Sequence, residues 1–391
     1  MKYFFAAFLN ALSFLPVAFA ALYILELAGA NFSAAFAGIF LCAALGTALW
    51  GKFIGSPVVV FPNYAITASF LYIEVICRGE TLDALFNASF FAAIFGICII
   101  FLSRYCKIIG DKIDYVFKNI FSSKTLTSAF LFGTALFLIL EGLNLSGLIL
   151  SSPFYFAMTG DIYNPVAKFS LIGIAILLLL YAKNKKFAII TPTVLIVALS
   201  YIEGYVAVDE IFAFPAVSPQ GFEIAMDFTV FRLTVEIFLL MYIIGNFWKY
   251  LFNNMFKIKG EKNIFPIYIT NAISAFFGLF MLLPSPISLV GCSVGGNKKI
   301  SYFTALFFVI FIFLEPLAKS LMSFTAVYAP ALVGAGIFTL LQIKPETNSS
   351  LAEKLAGCAF IAIFPLTRDV VTALLSSTAV YFIIKSTNKN S

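Results

Sequence analysis

Arg232 and Glu236 are the two charged residues of an otherwise apolar segment, residues 228–248. They are four positions apart, so a helix places both side chains on one face. Charged side chains are costly to bury inside an apolar span and are therefore functional candidates. Two interpretations stay open. Either the residues form an ion pair that lets both groups be buried, or Glu236 takes up a coupling proton or binds a substrate while Arg232 tunes its pKa.

Other charged residues lie near the ends of apolar runs. Arg368 and Asp369 are adjacent at a predicted turn between the last two apolar segments, where we expect them to pair with each other. Glu74 and Glu141 fall near the predicted outer ends of their segments, and we expect both carboxylates to be interfacial. These residues are weaker candidates than Arg232 and Glu236.

A second set of candidates lies where apolar runs are interrupted. Prolines and a glycine in residues 283–296 (LPSPISLVGCSVGG) prevent regular helical hydrogen bonding. A similar pattern occurs earlier, at residues 57–64 (PVVVFPNY). In each copy a proline precedes four mostly apolar residues with strand propensity, and a helix breaker follows. The pattern predicts short strands at residues 58–61 and 287–290.

Backbone groups dominate the chemistry expected at these breaks. Where a strand gives way to a half-helix, unpaired N–H groups and a positive dipole end can face a cavity and bind a planar polar ligand. Two broken segments at matching places in two halves indicate the binding site of a secondary transporter. The alternative is two tight connections in apolar surroundings. The candidate substrate-binding residues are Phe61, Asn63, Tyr64, Thr67, Glu236, Ser288, Val290, Gly291, Cys292 and Ser293.

The composition is that of an integral membrane protein. The 391-residue chain is 62% hydrophobic and 11% charged, with a mean hydropathy of +1.01, whereas about a quarter of the residues of a soluble protein are charged. The net charge of +6 comes from scattered lysines and forms no nucleic-acid patch. The absence of histidine excludes a His-based metal site or a Ser-His-Asp triad. The cysteines lack CxxC spacing, so we expect no metal, cofactor or disulfide, and a membrane enzyme is the least supported class.

The length allows about fourteen crossings at ~20 residues per span. The fold class predicted is an all-α polytopic membrane protein, with short strands in its broken third and tenth spans. The predicted spans are 3–27, 33–50, 57–77, 82–102, 126–143, 166–181, 187–201, 228–248, 265–283, 284–296, 300–314, 321–341, 355–366 and 370–384.

The distribution of basic residues supports this count. If both termini and every even-to-odd loop are cytoplasmic, 20 of the 25 lysines and arginines lie on the cytoplasmic side, as the positive-inside rule expects. Removing one span would invert every later loop and destroy the asymmetry. We therefore predict a multi-pass protein of the bacterial inner membrane with both termini in the cytoplasm.

An odd number of spans per half implies inverted repeats, since the second half must enter the membrane with the opposite orientation. Aligning Pro57 with Pro286, 229 residues later, agrees with a first repeat at residues 1–225 and a second at 226–391.

Several colinear motifs carry a family resemblance. They are AALGTALWG at 43–51 with Pro57 and Phe61-Pro62, the segment from Phe132-Gly133 to Leu143, Val235-Glu236-Ile237-Phe238, and Phe364-Pro365-Leu366-Thr367. Together they resemble the AzgA-like purine permeases of the xanthine/uracil permease (nucleobase:cation symporter) superfamily, over nearly the whole chain. The resemblance implies a core of spans one to four and eight to eleven that moves against a gate of spans five to seven and twelve to fourteen.

The chain departs from this family at the site. Leu239 replaces the family's second acid on span eight, and Gly291 stands where a glutamate is expected on span ten. Residues 62–67 read PNYAIT instead of Pro-Gly-Met-Gly-Leu-Asn. Glu236 is the family-matched acid that is kept and is our first choice for a functional carboxylate.

The leading hypothesis is a secondary transporter that moves a purine-like nucleobase, or a related small planar solute, by alternating access coupled to protons. The expected partners are a small-molecule substrate, a proton, the lipid bilayer and a second copy of the chain in a homodimer. Two alternatives stay open. One is a small-anion transporter on a related seven-plus-seven fold that uses Arg232 and the half-helix N-termini. The other is a membrane receptor or scaffold that does not transport.

Overall fold

The structure is predominantly helical with four short strands in its described part. This computed structural model describes residues 2–105, 124–150, 158–183, 187–215, 217, 219, 223–256, 264–285, 287–288, 298–341, 343 and 350–387. The helices of the first half are α1 Lys2–Leu27, α2 Phe32–Phe53, α3 Tyr64–Phe70, α4 Leu82–Tyr105, α5 Lys124–Leu145, α6 Pro165–Lys183 and α7 Ile190–Ile202. Those of the second half are α8 Phe228–Phe256, α9 Phe265–Ala275, α10 Lys299–Phe311, α11 Glu315–Met322, α12 Ala329–Leu340, α13 Leu351–Thr367 and α14 Val370–Thr387. The strands are β1 Val60–Pro62, β2 Ile149–Leu150, β3 Met158–Thr159 and β4 Leu282–Pro284.

Apolar helices long enough to cross a membrane recur along the chain. Within the described ranges there are seven: Tyr3–Leu27, Phe32–Phe53, Leu82–Leu102, Ser128–Leu145, Pro165–Lys183, Phe228–Asn246 and Lys299–Met322. The third span is composite, as predicted, because β1 precedes α3 and α3 continues directly into a π-helical segment, Leu71–Cys77. A π-helix has an irregular hydrogen-bond register and often marks a functional position.

The predicted division between the eleventh and twelfth spans is wrong. A 3-10 turn, Ile312–Leu314, connects α10 to the short helix α11, and α12 begins only at Ala329. Pro316 lies in the first turn of α11, where its missing N–H is tolerated. The break therefore produces a separate short helix over the residues that were expected to form the loop between the two spans.

The described helices pack into two bundles. In what we call the core bundle, α2 packs against α9 and α10, α4 against α8 and α9, and α1 against α10. In the gate bundle, α5 packs against α12 and α13, α6 against α7 and α12, and α13 against α14. The core bundle thus holds β1, α1–α4, α8–α10 and β4, and the gate bundle holds α5–α7 and α12–α14.

Aromatic rings fix β1 inside the core bundle. The ring centroid of Phe61 lies 4.8 Å from that of Phe14 on α1, 5.7 Å from that of Phe308 on α10 and 6.4 Å from that of Phe40 on α2. All four side chains are fully buried. Three helices therefore surround one face of the strand, and this packing determines where the chain after Phe61 enters the space between the bundles.

Glycines allow α5 and α12 to approach closely in the gate bundle. A Cβ atom on Gly142 would lie 2.9 Å from the carbonyl oxygen of Ala329 and 2.9 Å from the nitrogen of Val333. One on Gly336 would lie 2.6 Å from the carbonyl oxygen of Ala135. Contact between backbones at small residues is a common way for helices to associate in membranes, so these glycines set the spacing of the gate helices.

Candidate functional site

The two broken segments meet as one antiparallel pair of strands. Phe61 lies opposite Leu283 at its centre, between the pairs Val60–Pro284 and Pro62–Leu282. At one end the N–H of Asn63 donates to the carbonyl of Met281 at 3.1 Å, and at the other the N–H of Ser285 donates to that of Val59 at 3.0 Å. Each strand ends in a proline, Pro62 or Pro284. In both cases the N–H of the residue after the proline donates to the carbonyl of the residue just before the opposite strand. The pair is two-fold symmetric, as inverted repeats require.

The second break does contain a strand, but its predicted position is wrong. The strand occupies Leu282–Pro284, whereas Ile287 and Ser288 lie in a helical turn after it. The equivalent of Pro62 is therefore Pro284, and the offset between the repeats is 222 residues, from Val60 to Leu282, instead of 229. The two prolines of the Pro284-Ser285-Pro286 sequence made two alignments possible, and the alignment on Pro286 was incorrect.

Side chains of two helices satisfy the backbone at the start of each strand. On α2, the hydroxyl of Thr47 accepts the N–H of Val60 at 3.1 Å. On α9, the Asn271 side chain accepts the N–H of Leu282 at 2.9 Å and donates to its carbonyl at 2.8 Å. Because lipid offers no hydrogen bonds, a non-helical backbone inside a membrane needs such partners. Thr47 and Asn271 therefore hold the crossing in place.

Ser288, predicted to bind substrate, makes a contact between the two halves of the chain. Its hydroxyl accepts the N–H of Val59 at 2.9 Å, and the side chain is fully buried. This hydroxyl therefore stabilises the crossing of the strands from the second half.

A cavity lies beside the crossing, between the two bundles. Its volume is about 30 Å³, room for about one or two water molecules, so a larger ligand can enter only when the two bundles move apart. The core bundle contributes the residues around the ends of β1 and β4 and parts of α1 and α8, and the gate bundle contributes α5 and α12. The described lining residues are Val17, Pro62, Asn63, Tyr64, Phe130, Leu131, Thr134, Leu138, Trp248, Ser285, Ile287, Leu332, Ala335 and Thr339. None of these carries a charge, so this part of the wall suits a neutral ligand.

Asn63 and Tyr64 are the predicted site residues that line this cavity. Asn63 precedes α3, but its side chain does not cap the helix, so the amide is available to a ligand. The hydroxyl of Tyr64 is buried and has no hydrogen-bond partner in the structure. A buried unsatisfied hydroxyl is costly, and a bound ligand or water can satisfy it. Thr67, one turn further along, has a similarly buried hydroxyl without a partner but is not among the lining residues.

The remaining predicted site residues lie elsewhere. Phe61 faces the aromatic cluster of the core bundle and not the cavity, because neighbouring residues of a strand point to opposite faces. Val290, Gly291, Cys292 and Ser293 lie outside the described residues.

Arg232 and Glu236 do pair, within a larger cluster of charges. Arg232 Nη1 lies 3.2 Å from Glu236 Oε1, and its Nη2 lies 2.6 Å from Glu74 Oε2. Glu80 is more distant, at 3.9 Å, and Arg78 also pairs with Glu74. The Glu74 carboxylate is nearly inaccessible, with 4% of its side chain exposed. Glu74 thus lies near the end of its span but is packed inside the protein, where it joins the π-helical segment to α8 and compensates the buried part of Arg232.

This cluster is separate from the cavity. Glu236 lies twelve residues before Trp248 on the continuous helix α8, which is about 18 Å along its axis at ~1.5 Å per residue. Trp248 lines the cavity and Glu236 does not. The structure thus does not bring Glu236 together with Asn63 and Tyr64.

Several lining residues had no signal in the sequence. Trp248, Thr134 and Thr339 are single polar or aromatic residues in apolar helices, and only the packing of α5 and α12 against the core bundle brings them to one wall. Ser285 could have been found by aligning Pro284 with Pro62. Among the described residues, no group of three or more Cys, Asp or Glu residues has a geometry that could hold a metal ion.

The known proteins that resemble this chain in sequence or structure are membrane transporters. No family model matches the chain. The adenine permease AdeP of Escherichia coli (strain K12) is 23% identical over 408 residues, which cover 97% of this chain and 86% of AdeP. The transmembrane domain of the cyanobacterium bicarbonate transporter BicA superposes with a TM-score of 0.68 at 18% identity, over 96% of this chain and 97% of BicA. SLC26A9 superposes with a TM-score of 0.65 at 15% identity, over 97% of this chain and 64% of the SLC26A9 chain. The murine anion transporter Slc26a9 in the inward-facing state superposes with a TM-score of 0.62 at 13% identity, over 99% of this chain and 68% of the Slc26a9 chain.

These likenesses confirm the predicted fold, a polytopic helical membrane protein built from two seven-span repeats. They also confirm the predicted class, because the relative and the superposed structures are transporters and not enzymes. They leave the substrate open, since their names include a nucleobase, bicarbonate and anions in general.

Proposed function

We propose that this chain is a secondary active transporter that moves a purine-like nucleobase, or a related small planar solute, by alternating access. The observation that carries the proposal is the cavity between the core and gate bundles, whose described lining is uncharged and both aromatic and polar. A purine has two apolar faces and an edge of alternating hydrogen-bond donors and acceptors. Tyr64, Phe130 and Trp248 offer aromatic surface to the faces, and Asn63 and Ser285 offer an amide and a hydroxyl to the edge.

The adenine permease relative supports the purine-like choice within the proposal. Membership of the AzgA-like permeases, coupling to protons and assembly as a homodimer are also parts of the proposal. In this chain neutral side chains would take over the recognition that family acids perform elsewhere. Glu236 would then act away from the substrate, through its contact with Arg232.

Anion transport is the second candidate, because the superposed transporters carry bicarbonate or anions by name. An anion site needs a positive charge or a cluster of N–H groups at the cavity. Arg232, the cation proposed for this role, is engaged by the carboxylates of Glu74 and Glu236 and is not among the described lining residues. The described cavity wall therefore offers no side-chain cation to an anion, which supports the neutral planar solute over an anion bound by Arg232.

The orientation in the membrane is proposed from the charge distribution. Both termini would face the cytoplasm of a bacterial cell, and the loops that carry most of the lysines would lie on the same side. The turn between α13 and α14 would then face outward.

The deciding experiment is a thermal-shift panel on the purified protein, followed by uptake into proteoliposomes. The panel contains adenine, hypoxanthine, uracil, bicarbonate and chloride. A ligand that binds the folded state raises the melting temperature, so we expect purines to do so and to compete with labelled adenine for uptake. A rise in melting temperature with bicarbonate or chloride and uptake of the labelled anion, without stabilisation by purines or uptake of adenine, would assign anion transport. Purine binding without flux would assign a receptor.

A further inference from the structure

The turn at residues 367–370, which joins α13 to α14, has a conformation that needs support. Arg368 has a positive φ of 58°, in the left-handed region, which is unfavourable for a residue other than glycine. Its N–H donates to the carbonyl of Phe364 at 2.9 Å and so closes α13. Asp369 accepts the N–H groups of Val371 and Thr372, both at 3.0 Å, and so caps α14. Asp369 therefore serves its own helix, and the predicted pairing of Arg368 with Asp369 is wrong.

The side chain of Arg368 instead lies between the two bundles. Its Nη2 is 3.3 Å from Glu141 Oε1 on α5, in the gate bundle. The same guanidinium lies over the ring of Tyr72 at 5.1 Å from the centroid, and Tyr72 belongs to the π-helical segment of the core bundle. An arginine over an aromatic face makes a favourable cation–π contact. Arg368, a residue of the gate bundle, thus places its positive charge against the core bundle.

A second contact crosses the interface from the same turn. The N–H of Val370 donates to the hydroxyl of Ser69 on α3 at 3.1 Å, and both residues are buried. This N–H is one of the free donors at the start of α14, and Ser69 satisfies it. One short turn of the gate bundle is therefore held to the third span at two points.

These contacts lie close to the cavity. Tyr64, a lining residue, is eight residues before Tyr72 on the same span, about 12 Å at ~1.5 Å per residue. Leu138, another lining residue, is one turn before Glu141 on α5. The turn is therefore placed to sense what occupies the cavity.

We propose that the turn at residues 367–370 is a latch that closes the path to the cavity on its side of the membrane, with Arg368 as its gating residue. This inference rests on the proposed transport by movement of core against gate. When the bundles separate on that side, Arg368 keeps Glu141, which moves with it, and releases Tyr72, while Val370 releases Ser69. The irregular register of the π-helical segment gives Tyr72 a backbone that can adjust as the contact breaks.

The test measures access to the cavity and needs no substrate. Thr134, on the gate wall, is changed to Cys in a chain whose six native cysteines are replaced by serine. Proteoliposomes are then treated with a membrane-impermeant maleimide from either side. Tyr72→Leu and Arg368→Gln should raise the labelling rate from the side of the turn by about threefold or more, the scale of one lost cation–π contact. Lys319→Gln, a change at an exposed cation of α11, should leave the rate unchanged.

Two outcomes would overturn the latch. One is a labelling rate from the side of the turn that neither variant changes, and the other is an equal rise from both sides, which would mean general loosening. Tyr72→Leu keeps the Arg368–Glu141 pair, so it tests the proposal even if Arg368→Gln fails to fold. Because the readout contains no substrate, its failure is distinguishable from a failure of nucleobase uptake, which the competition assay measures separately.

Discussion

Phe61 and Leu283 face each other at the centre of the strand crossing, 222 residues apart in the chain. Their equivalence defines the two-fold relationship of the repeats better than any sequence motif does. On either side of this pair, residues related by the same offset make matching bonds, with Asn63 donating to Met281 and Ser285 to Val59. The crossing places the ends of both strands at one cavity, so Asn63 and Ser285 line the same wall.

The crossing should depend more on Asn271 than on Thr47. Asn271→Leu leaves both the N–H and the carbonyl of Leu282 without their side-chain partners, whereas Thr47→Val leaves the N–H of Val60 alone. Each unsatisfied buried group costs about 1–3 kcal/mol. We therefore expect Asn271→Leu to lower the melting temperature in detergent about twice as much as Thr47→Val. Equal losses would show that the two helices do not anchor the strands in this way.

Tyr64→Phe should weaken ligand binding without weakening the fold. The Tyr64 hydroxyl has no partner in the structure, so its removal should leave the melting temperature of the free protein unchanged or slightly higher. Binding of adenine should weaken about three- to tenfold, the scale of ~0.5–1.5 kcal/mol for one hydrogen bond.

Tyr268→Phe is the matched control for this prediction. Its hydroxyl is also buried without a partner, but Tyr268 does not line the cavity. Adenine affinity, measured by calorimetry, should not change in this variant. Equal weakening in both variants would contradict a direct contact between Tyr64 and the ligand.

Glu74 should matter more for stability than Glu236. Glu74 contacts both Arg232 and Arg78 and is almost completely buried, whereas Glu236 is partly exposed and contacts Arg232. Removing one partner of a buried ion pair leaves an uncompensated charge and is strongly destabilising. We expect Glu74→Gln to lower the melting temperature clearly more than Glu236→Gln.

Uptake measurements distinguish a proton-coupling role of Glu236 from a purely structural role in the ion pair with Arg232. If Glu236 couples transport to protons, Glu236→Gln should abolish uptake or remove its dependence on pH while the protein stays folded. Normal uptake with a normal pH dependence would make Glu236 a structural residue.

The helical membrane fold could be predicted from the sequence because hydropathy acts over whole segments. Pro62 breaks the third span through a local property, its missing N–H, and this break was predicted correctly. The position of β4 depends instead on Asn271, eleven residues earlier, and on pairing with β1. Such distant partners leave no local pattern in the sequence. Pro284 and Pro286 are therefore equally suitable, from the sequence alone, as the equivalent of the proline in the first repeat.

The site was less predictable than the fold for the same reason. Asn63 and Tyr64 follow a visible break, so their place beside the cavity could be anticipated. The pairing of Glu74 with Arg232 spans 158 residues, and Arg368 meets Glu141 only after α13 packs on α5. Adjacent residues of a strand point to opposite faces. If Pro62 faces the cavity, Phe61 must therefore face away from it, and this could have been inferred from the sequence.

Gly142 allows the gate helices α5 and α12 to lie close together. In Gly142→Ala the new methyl group would lie 2.9 Å from the backbone of Ala329 and of Val333, and backbone cannot move aside without shifting α12 against α5. Overpacking of this kind costs about 1–3 kcal/mol. Both helices contribute residues to the cavity wall, so we expect a lower melting temperature together with slower uptake.

Gly245→Ala provides the comparison, because its new methyl group would meet mainly the tip of the Ile267 side chain, at 2.7 Å. A side-chain tip can change its rotamer, and alanine favours a helix over glycine by about 1 kcal/mol. Gly245→Ala should therefore leave the melting temperature unchanged or raised and should not slow uptake. If the two alanine variants behaved alike in both assays, close contact of the α5 and α12 backbones could not be what sets the geometry of the gate.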